Sequence, residues 1–318
     1  MHATPISFGV MSLIAVLASP AAAQDYFAGK TIDLLVGAPP GGGYDIYARA
    51  VARHFGRNIP GQPHIVVKNM PGAGSAKAAQ FIANIAPKDG TVIAGIMPGA
   101  IMGPLLDPKS EGLFDPTKVL YVGTANSGTR VCATLKGSKI AKFEDTLKVP
   151  AKFGGSAPND STYEYGYMHK RTSGAIYDIV AGYRGTNEMA LAMERGEIDG
   201  ICGWDWSSFK SQKPDWLRDN KVNVLLQVSL DPHPELAKMG VPTVFQRSYI
   251  APPDTPPAQL EVLRAAFDRT MADKQFLDDA DKMRVDIAPM SGAKVQELVR
   301  KLYASPKDIV ERAKKAIR

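Results

Sequence analysis

Short apolar runs alternate with longer amphipathic segments along most of this chain. Residues 32–36 are mainly apolar and predict a strand. After a glycine-rich turn, apolar residues recur at i, i+3, i+4 and i+7 from Ala48 to Phe55, which predicts a helix. The same order begins again at residues 65–67, and a third strand is predicted at residues 91–96. Because alternating strands and helices favour mostly parallel sheets flanked by helices, the predicted fold class is α/β.

A second series of strand patterns begins after residue 123. Its predicted strands are residues 131–133, 152–154, 177–180, 200–202 and 222–228. The chain that follows is nearly all helical in pattern, with Leu260, Leu263 and Phe267 on one helix face. Because such helices need a sheet to cover, we expect this tail to pack on the first group of strands.

This order predicts two lobes joined by a hinge. The first lobe is discontinuous and comprises residues 24–123 plus 229–318, whereas the second lobe, residues 124–228, is inserted into it. The two chain crossings are expected near Gly123 and Ser229. A chain of 318 residues is long enough to bury two ordinary cores.

The N-terminal segment has the pattern of a secretory signal. Residues 6–17 form a mainly apolar run that is too short to span a bilayer. Ala21-Ala22-Ala23 then fit the small-residue cleavage rule. We therefore predict that residues 1–23 are removed after Ala23 and that the chain is exported to the periplasm. No Lys or Arg precedes the apolar run, which leaves a buried N-terminal helix as the alternative.

Charge and cysteine content narrow the classes of partner. The net charge is +6, but basic residues are interspersed with acidic ones, which argues against a nucleic-acid partner. A mild positive field attracts anionic solutes. In an oxidising compartment, Cys132 and Cys202 can form a disulfide that closes a loop of about 70 residues. Two separate buried thiols are the alternative, because the sequence does not show their geometry.

A glycine-rich loop between the first strand and its helix is the most informative candidate site. Gly42 and Gly43 let backbone N–H groups approach a ligand closely, and Tyr44 and Asp45 follow them. The helix N-terminus offers unpaired donors and a partial positive charge. Because ligands bind at the carboxyl ends of strands in open α/β sheets, this loop is a candidate anion cradle. The alternative is a tight turn in which Asp45 only stabilises the first helical turn.

Two loops of the second series have matching chemistry. The first follows a strand and ends in Asn159, Ser161 and Thr162, which suit a helix N-cap. The second contains Gly185 and Thr186 and leads into another helix pattern. Two helix N-termini that face each other across a cleft can hold a carboxylate with N–H, hydroxyl and water donors, without a buried arginine.

Aromatic and basic residues near these loops have two interpretations. Tyr44, Trp204 and Trp206 can line the cleft and favour an aromatic or extended carboxylate, or they can pack in the core. Arg184 can pair bidentately with a ligand carboxylate, or it can be a solvated or structural residue. The sequence leaves both choices open.

Several motifs together resemble one protein family. They are GGYDIYAR at residues 42–49, VKNMPGAG at 67–74, PKDGT at 87–91, YRGT at 183–186 leading to GEID at 196–199, and VPT at 241–243. In their order and spacing, they resemble the periplasmic solute receptors of tripartite tricarboxylate transporters, also called Bug or TctC-type receptors. The resemblance extends from Lys30 to the C-terminal helices.

The resemblance implies a type II periplasmic-binding-protein fold, a Venus flytrap that closes by a hinge on a small, usually carboxylated ligand. The contacts that it implies are Gly42, Gly43 and Asp45 in the first loop, Asn159, Ser161 and Thr162 in the second, and Gly185 and Thr186 in the third. It also implies transport, with transporter membrane subunits as partners, and we expect the receptor to be a monomer. Residues 158–161 depart from the glycine-rich form common in the family, so a relative's ligand does not carry over.

Enzyme signatures are missing from the sequence. Gly29-Lys30-Thr31 lacks the first glycine and the preceding strand of a phosphate-binding loop. Residues 72–76 place the serine one position late for a hydrolase elbow. The five histidines have no metal-ligand spacing. We therefore expect a non-enzymatic protein with no catalytic residue, metal or cofactor. The alternatives are a solute sensor coupled to a signalling membrane partner, and an exported hydrolase or isomerase.

Overall fold

The computed structural model describes residues 26–107, 110, 112–126, 128–158, 160–228 and 247–317. The predicted signal segment 1–23, Asn159, Ser229 and the motif at residues 241–243 lie outside the described residues.

Strands and helices alternate through most of the described chain. The strands are β1 Thr31–Val36, β2 His64–Asn69, β3 Val92–Ile96, β4 Leu120–Thr124, β5 Arg130–Leu135, β6 Lys152–Gly154, β7 Asp178–Val180, β8 Gly200–Asp205, β9 Val222–Val228, β10 Ser248–Ala251 and β11 Met290–Ser291. The helices are α1 Gly43–Phe55, α2 Ala76–Asn84, α3 Pro98–Leu106, α4 Ser161–Ser173, α5 Thr186–Glu194, α6 Trp206–Gln212, α7 Pro214–Arg218, α8 Pro257–Ala272, α9 Lys274–Lys282, α10 Gly292–Tyr303 and α11 Lys307–Ile317. None of the described helices combines the length and the apolar character that a membrane crossing requires.

The strands form two sheets. The first has six strands in the order β11-β4-β10-β3-β1-β2, and with its covering helices it is called the first lobe below. The second has five strands in the order β7-β6-β8-β5-β9, and with its helices it is called the second lobe. The chain leaves the first sheet after Thr124 of β4 and then forms the second sheet, whose last strand ends at Val228. It returns to the first sheet with β10 and β11.

The α/β class is confirmed, but the expectation of mostly parallel sheets needs correction because both sheets are mixed. In the first sheet, β1 is parallel to β2 and β3, whereas β10 and β11 are antiparallel to their neighbours. In the second sheet, β6 is parallel to β7 and β8, whereas β5 is antiparallel to β8 and β9. Strand direction depends on which distant strands pair, so local periodicity does not reveal it.

Alternating side chains of β1 explain why helices cover both faces of the first sheet. Ile32, Leu34 and Val36 are buried in one cluster with residues of α1 and α8. Leu35 points to the opposite face and is buried with residues of α2, α3 and α10. The strand therefore has an apolar side chain for each of two helical layers.

The C-terminal part of the chain covers the first sheet, but it is not nearly all helical. Leu263 and Phe267 of α8 pack on one face, and Val295 of α10 packs on the other. The segment also contributes β10, which inserts between β3 and β4 and is buried along its whole length. Four residues are too short a run to give a clear period, and their burial comes from strands far away in the sequence.

The two cysteines form a disulfide inside the second lobe. Cys132 of β5 and Cys202 of β8 lie on neighbouring antiparallel strands and are joined at an S–S distance of 2.00 Å. Both residues are buried in a cluster that includes Phe153 and Tyr177.

Candidate functional site

A cavity of about 50 Å³ lies between the two lobes. It lies beyond the carboxyl ends of β1 and β3 in the first sheet and of β6 and β8 in the second, where open α/β sheets usually bind ligands. The predicted site residues that line it are Gly42, Gly43, Tyr44, Ser161, Thr162, Gly185, Thr186 and Trp204. Loops from both lobes therefore meet at one place.

Asp45 shapes the first loop and is not among the residues that line the cavity. Its carboxylate accepts hydrogen bonds from the Gly41 backbone N–H at 2.8 Å, Arg49 Nε at 2.9 Å and Asn69 Nδ2 at 2.9 Å. Burial alone would raise the pKa of Asp45, but these donors outweigh it and hold the pKa below the usual value. The ionised carboxylate thus fixes the turn before α1, which corresponds to the alternative interpretation of this residue.

Gly43 lets the two lobes come into close contact. A Cβ added at this position would lie 2.5 Å from Cβ of Ser208 in α6 and closer still to its hydroxyl oxygen. The same Cβ would lie 3.3 Å from Nη2 of Arg247. The space beside Gly43 is therefore filled by Ser208 of the second lobe and by Arg247 of the first lobe. A Cβ at Gly42 would meet only the Pro39 carbonyl oxygen, at an ordinary 3.5 Å.

Replacing Gly43 by alanine is expected to prevent full closure of the lobes, because the new methyl group overlaps Ser208. Overpacking of this kind costs about 1–3 kcal/mol. In hydrogen–deuterium exchange, peptides covering residues 41–47 and 205–212 should exchange faster by roughly tenfold. Gly42→Ala is the matched control and should leave both peptides at the wild-type rate. Equal exchange in the two variants would contradict the assigned contact.

The second loop is organised around Asp160, which caps α4. Its carboxylate accepts a hydrogen bond from the Thr162 backbone N–H at 2.8 Å and another from the Thr162 hydroxyl. The Ser156 backbone N–H donates to the same hydroxyl oxygen at 3.1 Å. Ser161 and Thr162 are thus the first two residues of the helix, and its N-cap is Asp160 instead of one of the amide or hydroxyl residues that the sequence suggested.

The third loop approaches the first loop across the cleft. Gly185 precedes α5 and lies beside Pro39 of the first lobe. The Thr186 hydroxyl donates to Gln212 Oε1 at 3.0 Å, so it also holds α5 to α6. Asn187 Nδ2 donates to the Gly41 carbonyl oxygen at 2.8 Å, which is a direct bond between the two lobes.

The aromatic residues divide between cleft and core. Tyr44 lines the cavity, and its hydroxyl oxygen accepts a hydrogen bond from Arg130 Nη2 at 3.2 Å. Trp204 lines the cavity as well, but it is 1 % exposed and packs edge-on against Phe209. Trp206 is buried in the same cluster and is not among the lining residues. Tyr44 and Trp204 are therefore both packing and lining residues.

Two buried arginines, which the sequence analysis did not select, form the deep wall of the cavity. Arg247 directly precedes β10, and its Nη2 donates to Asp205 Oδ1 and to the Ser208 hydroxyl. Its guanidinium packs against two tyrosine rings, with Cζ 4.4 Å from the ring centre of Tyr44 and 4.3 Å from that of Tyr47. This arrangement combines a buried ion pair with two cation–π contacts.

Arg130 is the second buried arginine, at the start of β5. Its Nη1 donates to the Gly203 carbonyl oxygen at 3.2 Å. A charged residue at the first position of an apolar strand is the one local signal that could have marked it. Arg247 has no such signal, because the segment before β10 has no clear pattern in the sequence.

Asp205 and Arg247 keep each other ionised. Burial alone would raise the pKa of Asp205, but the charges of Arg247 and Arg130 and two hydrogen bonds from Ser208 lower it below the usual value. Burial alone would lower the pKa of Arg247, and the Asp205 carboxylate more than reverses this effect. The deep wall therefore carries two positive charges and one negative charge.

The described residues contain no group of three or more His, Cys, Asp or Glu side chains arranged to hold a metal ion.

Two curated relatives cover most of the chain, whereas no family model matches it. A UPF0065 protein of Pseudomonas sp. (strain P51) is 25% identical over 282 residues, which is 83% of this chain and 80% of that protein. A UPF0065 protein of Agrobacterium vitis is 24% identical over 272 residues, which is 81% of this chain and 76% of that protein.

Solved structures share the fold. The periplasmic binding protein BugD matches with a TM-score of 0.76 at 17% identity, over 91% of this chain and 98% of BugD. Malate-bound MatC of Rhodopseudomonas palustris matches with a TM-score of 0.71 at 19% identity, over 92% of this chain and 100% of MatC. An adipate-bound R. palustris protein matches with a TM-score of 0.73 at 18% identity, over 90% of this chain and 98% of that protein. The chain is thus a homologue of the UPF0065 proteins with the type II fold of the Bug and TctC periplasmic binding proteins, which confirms the resemblance inferred from its motifs.

Proposed function

We propose that this protein is a periplasmic receptor that captures a small carboxylate between its lobes. It would deliver this ligand to the membrane subunits of a tripartite tricarboxylate-type transporter. The observation that carries the proposal is the convergence of strand-to-helix turns from both lobes on one cavity with two buried arginines. Malate in MatC and adipate in the second R. palustris protein support a carboxylate as the ligand class.

The donors of the site are sufficient for useful affinity. A hydrogen bond to a charged group contributes about 1.5–3 kcal/mol. Three or four such bonds reach the roughly 8 kcal/mol of micromolar binding, before ordering costs are subtracted. Gly42 and Gly43 with their backbone N–H groups, Ser161 with its hydroxyl and Arg247 with its guanidinium all line the cavity.

Ligand entry requires the lobes to separate. One water needs about 10–15 Å³, so a cavity of about 50 Å³ holds a few waters in the closed form. We propose that the chain crossings after β4 and β9 act as the hinge, with the first lobe formed by residues 24–123 plus 229–318 and the second by residues 124–228. Cleavage after Ala23 would release the mature receptor into the periplasm.

A thermal-shift screen of mono-, di- and tricarboxylates on mature protein comprising residues 24–318 tests this function. A ligand that binds only the folded state raises the melting temperature, by roughly 5 °C at a hundred times Kd. The corresponding neutral amides serve as controls and should have no effect. If no carboxylate of the screen shifts the transition, the receptor function is wrong.

A further inference from the structure

Arg247 has hydrogen-bonding capacity that the protein does not use. A guanidinium has five N–H donors, and the two on Nη2 bind Asp205 and Ser208. Nε and Nη1 of Arg247 are buried and have no hydrogen-bond partner among the described residues. Buried donors without a partner are rare in native proteins and costly, especially on a charged group. Arg247 lines the cavity, and its side chain is almost fully covered while the lobes are together. An acceptor that enters as the lobes separate can therefore satisfy these three N–H groups.

The guanidinium is also held in place before any ligand arrives. The Tyr44 and Tyr47 rings both pack against it, and the ion pair with Asp205 fixes one corner. Only donors in the guanidinium plane remain for a ligand, and in-plane donors match the lone pairs of a carboxylate. A donor that is ordered in advance loses little entropy on binding.

The charges around the cavity correspond to a ligand with one negative charge. On the deep wall, Arg130 and Arg247 against Asp205 leave one net positive charge. Of the other charged lining residues, Asp160 caps α4, and Arg184 is largely exposed and pairs with Glu188. One carboxylate neutralises this excess. A second carboxylate would need a further cation, because an unpaired charge in a closed cleft is costly.

A second chamber continues from the cavity and is mainly apolar. It has a volume of about 330 Å³ and shares Pro39, Met97, Ser156, Asp160 and Arg184 with the deep cavity. Pro71, Ala73, Ala157 and Tyr183 contribute most of the remaining side chains of its wall. The charged residues of this lining, Asp160 and Arg184, have opposite signs and leave no net charge.

We infer that Arg247 binds the carboxylate of the ligand, and that the ligand is a monocarboxylate whose apolar body extends into the outer chamber. This inference rests on the proposed receptor function and specifies its ligand class. It adds a buried guanidinium to the backbone and hydroxyl donors of the loops. It also separates this chain from a receptor that selects dicarboxylates.

Matched acids test the ligand class. Isothermal titration calorimetry compares hexanoate with adipate and benzoate with terephthalate, so each pair differs by one carboxylate. In at least one pair the monocarboxylate should bind tenfold or more tightly, because the second carboxylate of its partner would lie among Pro71, Ala73 and Ala157. A dicarboxylate that binds as tightly in both pairs, or no binding by any of the four acids, overturns the inference. The receptor function itself fails only if the wider carboxylate screen is also negative.

A substitution in the outer chamber tests the same geometry without touching Arg247. Ala157→Lys adds a cation to the apolar chamber and should improve adipate binding about tenfold relative to hexanoate. Ala157→Gln is the neutral control of similar length and should leave the hexanoate preference unchanged. If both variants keep the wild-type preference, the apolar body of the ligand does not occupy this chamber.

A second substitution tests Arg247 directly. Arg247→Lys keeps the charge that pairs with Asp205 but loses the planar set of donors, so monocarboxylate affinity should fall at least tenfold. Arg53→Lys on the outer side of α1, where Arg53 pairs with Asp279, is the control and should bind normally. Urea unfolding of each variant verifies that the fold is intact. An intact Arg247→Lys protein with wild-type affinity would overturn the role of Arg247.

Discussion

Replacing Asp205 by asparagine is expected to open the interlobe cleft of the ligand-free protein. Asp205 ends β8 in the second lobe, and its partner Arg247 precedes β10 in the first lobe, so their buried ion pair crosses the cleft. The amide can still accept a hydrogen bond from the Ser208 backbone N–H, but it carries no charge. Arg247 would then remain buried near Arg130 without a counter-charge, unless the lobes separate and water reaches both.

The expected effect on closure is large. Removing one partner of a buried ion pair costs about 3–5 kcal/mol. Because every 1.4 kcal/mol is about a factor of ten, the ratio of open to closed molecules should rise by a hundredfold or more. The penalty applies to the closed form, since water would hydrate both charges once the lobes separate.

Small-angle X-ray scattering measures this opening as an increase in the radius of gyration. The double variant Asp205→Asn/Arg247→Gln removes both charges and should return towards the wild-type value. Asp33→Asn breaks the half-exposed pair with Lys68 and should have no effect, because surface pairs contribute about 1 kcal/mol or less. An unchanged radius in Asp205→Asn would show that this pair does not hold the lobes together.

Local patterns predicted much of the fold because burial follows local periodicity. The predicted strands at residues 152–154 and 222–228 coincide with β6 and β9, and the helix that contains Ala48 and Phe55 is α1. Elements whose burial depends on distant partners were harder to predict. β10 is a four-residue strand between β3 and β4, and only that position makes it central to the first sheet.

The residues of the candidate site also fall into two groups: those that local sequence could predict and those whose role depends on distant partners. Gly42, Gly43 and Ser161 were selected because they follow strands, and the pairing of parallel strands brings them to one cavity. Asp45 follows the same strand, but donors from Arg49 and Asn69 turn its carboxylate towards the protein. No property of a single loop reveals such partners.

The buried arginines show the limit of sequence patterns most clearly. Arg130 and Arg247 are separated by more than a hundred residues, and only the tertiary fold places both beside Asp205. The expectation of a carboxylate site without a buried arginine came from reading loops one at a time. The charge that would attract the ligand is produced by packing of the two lobes.

Removing the disulfide is expected to destabilise the second lobe by about 4 kcal/mol. Cys132 and Cys202 are 70 residues apart in sequence, and the bond closes a loop that includes β6, β7, α4 and α5. A closed loop of this length restricts the unfolded chain, and the entropy model gives about 4 kcal/mol for it. Cys132→Ala/Cys202→Ala removes the bond and keeps small apolar side chains in the buried cluster.

Tryptophan fluorescence reports on this lobe, because Trp204, Trp206 and Trp216, the three tryptophans of the chain, all lie in one buried cluster beside the second sheet. The free energy of unfolding falls by about 1–3 kcal/mol per molar urea, so the urea midpoint measured by fluorescence should fall by roughly 2 M. The circular dichroism signal includes the helices of the first lobe, so its urea midpoint should fall less. The fluorescence and circular dichroism midpoints should therefore differ in the variant. If the two midpoints fall together, the lobes unfold as one unit. An unchanged fluorescence midpoint would mean that the strand pairing of β5 with β8 and β9 holds the second lobe together without the bond.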